Sequence, residues 1–96
     1  MNIIEHMMKH YDKALGELMD AQEYLRCAEH AEKPSTKALY KTLAKQELEH
    51  EAMIRKDGDE LFSSTDATDS LHMVWHHLKK HLSEWRVDIE RHLAEV

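Results

Sequence analysis

The sequence predicts an all-α protein, and three observations lead there. Only 2 Gly and 1 Pro interrupt 96 residues. Ala, Leu, Glu, Lys and Met, all good helix formers, are abundant. Apolar residues recur at three- and four-residue spacing, which places them on one side of a helix. A sheet would need more β-branched residues and more turn signals. The chain is short enough to be one domain, residues 1–96, built around a single core.

Three helices account for the pattern. The first is predicted from Ile3 to about Glu32, with Ile4, Met7, Met8, Tyr11, Leu15, Leu18 and Leu25 as its apolar stripe. Pro34 ends it and Ser35 is the expected cap of the next. The second is predicted over 36–57, with Leu39, Leu43 and Ile54 inward and Gly58 as a left-handed C-terminal cap. Ser63 to Asp66 reads as a loop ending in an N-cap, with Asp69 making a capping-box-like contact. The third is predicted over 67–95 and carries the clearest stripe: Leu71, Val74, Trp75, Leu78, Leu82, Trp85, Ile89 and Leu93. The short turn at Lys33-Pro34 makes the first two helices an antiparallel hairpin. Two long helices and a third leave apolar surface uncovered, so the expected solution is a homodimer, or a higher even-numbered oligomer, that completes a four-helix bundle.

Charge and composition exclude several functions. A net charge of −6 argues against nucleic acid as a partner, because phosphate binding calls for a basic face. No apolar run reaches the roughly 18 residues a membrane helix needs. The single Cys27 rules out an internal disulfide. Residues Met1 to His6 lack the basic-then-apolar pattern of a signal peptide, so cytoplasm is the expected location.

The chemistry sits in Gln46-Glu47-Leu48-Glu49-His50. Glu47 and His50 are spaced i, i+3 and share one helix face, within the stripe of Leu39, Leu43 and Ile54. A carboxylate and an imidazole turned inward need partners, and a metal ion is one. With 9 His in the chain, such a spacing also arises by chance. Its position adds weight. An antiparallel hairpin turning at Lys33-Pro34 puts Glu17 level with His50, and Asp20 level with Glu47. Ala14, Ala21, Tyr24 and Ala28 share the face of Glu17, a small-residue row that reads as an interface around a polar centre. The plainer reading is an exposed glutamate among alanines selected for helix propensity. Carboxylates and imidazole suit iron or manganese better than structural zinc, which favours Cys. One chain supplies two carboxylates and one His; two chains supply four and two. That doubled set is the one used by di-iron carboxylate bundles.

Glu17, Tyr24 seven positions on, and Glu47-Leu48-Glu49-His50 together resemble the ferritin-like superfamily, in its rubrerythrin-type signature. The segment from Glu17 to Met53 is most similar to the encapsulated ferritins, short two-helix proteins that form a di-iron ferroxidase centre across a dimer interface. The resemblance implies that Glu17, Glu47 and His50 ligate iron, with Glu47 bridging two ions at the two-fold. It implies that Tyr24 orients a ligand carboxylate by hydrogen bonding. It further implies oxidation of ferrous iron by oxygen or peroxide, with ferric product passed to a storage compartment such as an encapsulin shell. Two features depart from that family: residues 91–96 show no appended targeting peptide, and the third helix is longer and richer in Trp and His.

The other His residues are read plainly. His77 and His81, near Glu84 and Asp88, are a candidate second metal site but more simply solvated positions, as are His72 and His76. His6 and His10 form an i, i+4 pair, His10 two turns from Glu17 on its face; they suit iron guidance but are expected at the surface. Trp75 and Trp85 are read as packing anchors, and Cys27 as a bystander. The competing function is a non-enzymatic helical dimerisation module without metal. A third is a metal sensor or buffer that uses the surplus His.

Overall fold

The computed structural model describes residues 2–63 and 68–96. Its three helices are α1 (Ile3–His30), α2 (Pro34–Phe62) and α3 (Asp69–Glu95). They form an elongated bundle of 52 × 22 × 16 Å. α1 and α2 are an antiparallel hairpin, with His10 opposite Asp57 and Glu17 opposite His50. α3 lies along the other side of the hairpin. It runs antiparallel to α2, placing Trp75 at Asp59 and Arg86 at Leu48, and alongside α1, placing His92 at Glu29.

The helix ends show which local signals won. α1 opens on Asn2, whose side chain accepts from the Glu5 amide at 2.9 Å, and it stops at His30 rather than Glu32. Pro34 begins α2 as its first helical residue, where the missing N–H costs nothing and the fixed φ already suits a helix. Ser35 is therefore inside the helix, and the N-cap is Lys33 without a side-chain bond. α3 is capped by Thr68, whose hydroxyl accepts from the Leu71 amide at 3.3 Å. The expected cap at Asp66 lies outside the described residues.

Gly58 is not a cap. α2 continues through it to Phe62, and the glycine is buried where Trp75 of α3 crosses. A Cβ there would sit 2.2 Å from the Trp75 ring. Glycine is used for close approach, not for a left-handed turn. The ring has little freedom to yield: its Nε1–H donates to Asp59 at 2.8 Å, and Phe62 packs against it at 5.1 Å. Asp59 also takes Lys79 Nζ at 2.8 Å. Burial works to raise the Asp59 carboxyl, but the bonds from Lys79 and Trp75 outweigh it and hold it below the ordinary value. Gly58→Ala gains about 1 kcal/mol of helix propensity and meets an overpacking cost of about 1–3 kcal/mol or more. Its melting temperature should fall, not rise, in a thermal scan followed by circular dichroism.

The core differs from the expected stripe on α2. Leu39 is 55% exposed, and Leu43 and Ile54 are half-buried. The residues turned inward are Ala44, Leu48, Glu51, Gly58 and Phe62. Apolar side chains alone point to the wrong side of this helix, because its buried side is made of a small residue, a glycine and a glutamate among two large ones. On α1 the row of Ala14, Ala21 and Ala28 is fully buried, Ala14 and Ala21 in one core cluster with Leu48, Leu82 and Ile89. The close approach those alanines permit is filled by the chain's own helices. The α3 stripe holds better: Trp75, Leu82 and Ile89 are buried, while Val74 is 44% exposed.

Candidate metal centre

Glu17 and the pair Glu47 and His50 come from the two arms of the hairpin, and α3 contributes no member of the group. The antiparallel pairing sets their height, and the i, i+3 spacing brings the two α2 residues to the same edge. His50 Nδ1 lies 3.6 Å from Glu17 Oε2 and 3.8 Å from Glu47 Oε2. One ligand atom from each residue falls within 4.8 Å of the others, and this is the one group of three or more such residues among those described. Glu17 and Glu47 are partly shielded, their side chains 26% and 18% exposed, while His50 is open to solvent at 55%.

Glu47 keeps its proton to higher pH than an ordinary glutamate. The chief cause is the hydrogen bond it shares with Glu17, followed by partial burial and the charge of Glu17; His50 opposes the shift. Above its raised pKa the folded protein holds Glu47 ionised against Glu17, which costs stability that protonation restores. In metal-free protein Glu47→Gln should therefore raise the melting temperature at neutral pH. The gain should vanish as pH falls through the Glu47 pKa and wild-type becomes neutral there too. A gain that persists unchanged at low pH would contradict this arrangement.

The donor set fits a cation. It comprises two hard oxygen ligands and one imidazole, with an excess of negative charge that a metal ion would offset. Asp20, expected level with Glu47, is exposed and does not join the group. Tyr24 does not donate to either carboxylate; its ring stacks on Tyr40 with centroids 6.3 Å apart. His77 and His81 are exposed and bring no third ligand to α3. His10 is the exception to the surface reading: its side chain is only 14% exposed, its Nε2 is 2.8 Å from Asp57, and its ring packs edge-on against Phe62 at 5.2 Å.

A family model described as Rubrerythrin matches residues 9–92, nearly the whole of the three helices. The chain belongs to the rubrerythrin family. It is thereby a member of the ferritin-like superfamily, whose fold is of the iron-binding kind. No curated protein and no solved structure matches it. The match takes in most of α3, as far as residue 92. No described helix is long and apolar enough to cross a membrane.

Proposed function

We propose that two copies of this chain join through the hairpin face carrying Glu17, Glu47 and His50, forming a di-iron ferroxidase centre. The observation that carries this reading is the half-set of ligands on an uncovered face. Along the stripe of α2 that carries His50, Leu39 and Met53 stand 55% and 68% exposed, and Leu43 and Ile54 are half-buried. Apolar side chains around a cluster of carboxylates and imidazole suit an isologous interface, in which each residue meets its own copy's surroundings. A two-fold axis there supplies four carboxylates and two imidazoles, the set that holds two ions in di-iron bundles.

Iron is the substrate in this reading, with manganese the alternative occupant of the same donors. Two ferrous ions each release one electron, and dioxygen with two protons accepts both to give hydrogen peroxide. The chain's residues do the holding. Glu17 and Glu47 balance the charge with their carboxylates, and His50 contributes an imidazole nitrogen. The ferric product is then handed to a storage compartment, for which an encapsulin shell is one candidate.

The deciding measurement is iron per chain together with native mass, on protein purified without a metal-binding tag. The expected result is about one iron per chain in an even-numbered oligomer, falling to near zero in His50→Ala. A folded protein that takes up neither iron nor manganese anaerobically would overturn the proposal in favour of a metal-free dimerisation module.

A further inference from the structure

Next to the candidate centre, one turn of α2 beyond Glu47 and one residue beyond His50, lies a fully buried carboxylate. Glu51 is 0% exposed and is held by two guanidinium groups. Arg55 Nε donates to its Oε1 at 2.9 Å, and Arg86 Nη1 of α3 donates to its Oε2 at 2.6 Å. Arg86 Nη1 also donates to the backbone carbonyl of Leu48 at 2.7 Å, and its Nε reaches Glu90 at 2.6 Å. Arg55 Nη1 donates in turn to Ser83 of α3 at 3.0 Å.

The placement of these contacts along α2 matters more than their number. Leu48 directly follows Glu47, and Glu51 directly follows His50. The α3 guanidinium thus grips α2 at the two residues adjoining the two α2 members of the candidate centre. Gly58 and Phe62 fix this helix against Trp75 two turns or more further on, but beside the candidate centre the inward side offers only Ala44, Leu48 and Glu51. The guanidinium fork does better: its donors are in fixed directions, and both a side-chain and a main-chain acceptor must be met together. Side-chain tips lie about 5–6 Å from a helix axis, so a rotation of about 10° displaces them by about 1 Å. Metal sites tolerate less than that before a ligand is lost.

We infer that Arg86 is a positioning residue for the metal centre: through Glu51 and the Leu48 carbonyl it sets the rotation of α2, and so the placement of Glu47 and His50 against Glu17. The inference rests on the metal-binding reading above. It gives α3 a role at the centre although α3 contributes no ligand.

The test uses anaerobic Co(II) as a spectroscopic probe of the full chain, with thermal stability recorded on each variant. Arg86→Lys keeps the charge and removes the fork. A triple variant, Glu51→Leu with Arg55→Met and Arg86→Met, replaces the whole buried ion cluster with apolar side chains and keeps the case decidable if Arg86→Lys folds poorly. Both are expected to bind Co(II) at least about 10-fold more weakly than wild-type and to show shifted visible bands. Trp75→Phe, which loses the bond to Asp59 at the other end of α3, should lower stability yet leave affinity and bands unchanged. Wild-type affinity and bands in folded Arg86→Lys or in the folded triple variant would overturn the positioning role alone. A wild-type chain that binds no Co(II) would overturn the metal reading, and this inference with it.

Discussion

Glu47→Ala and His50→Ala should each slow ferrous oxidation by at least about 100-fold, the upper end of what loss of a ligand's mere supporting partner costs. Both remove a donor from a group whose ligand atoms fall within 4.8 Å of one another. The two-fold proposal makes each truncation count twice, since a single substitution deletes a ligand from both protomers. Neither change should unfold the chain. His50 is 55% exposed, and Glu47, though only 18% exposed, is one of two carboxylates that repel each other. Oxidation would be followed by the rise of ferric absorbance after anaerobic loading and addition of oxygen, with circular dichroism confirming helix content. His77→Ala, at an exposed position on α3, should react as wild-type does. Undiminished rates in the Glu47 and His50 variants, or an equal loss in His77→Ala, would remove the assignment.

The helices were legible in the sequence because their signals are local. A long three-and-four periodicity, Pro34 and a run of helix formers suffice, and the observed bounds of α1 and α3 lie within two residues of those expected. That Glu17, Glu47 and His50 come together was legible for a related reason: hairpin register follows from the turn, and the i, i+3 spacing follows from helix geometry. The inward side of α2 was not legible. It depends on what α3 presents: a Trp ring that only glycine admits at position 58, and an Arg that makes a buried Glu51 tolerable. Neither residue looks like core until its partner, 17 or 35 positions away, is known. The alanine row misled in the same way. Small residues announce a close approach but not whose helix makes it, and here α2 and α3 of the same chain fill it. Position 10 likewise read as surface because Asp57, its partner, comes from the far end of the hairpin.

Glu51→Ala is the substitution expected to cost most in stability, about 3 kcal/mol. Breaking a buried ion pair by removing one member typically costs about 3–5 kcal/mol, because the remaining charge stays desolvated and uncompensated. The lower end applies because the guanidiniums of Arg55 and Arg86 are 22% and 24% exposed, and water can reach them in part. For a domain of this size such a loss corresponds to a fall in melting temperature on the order of 15 °C. Urea titration should show the midpoint moving with little change in slope, the mark of a stability change without a change in the surface exposed. Replacing all three charged groups together has a different expected outcome. With Leu at 51 and Met at 55 and 86 no buried charge is left behind, and stability should match or exceed wild-type. The contrast separates two roles that one variant would confound. If the ion cluster only holds helices together, the apolar triple variant restores everything that Glu51→Ala loses. If it also sets the rotation of α2, the triple variant is stable and still binds metal poorly.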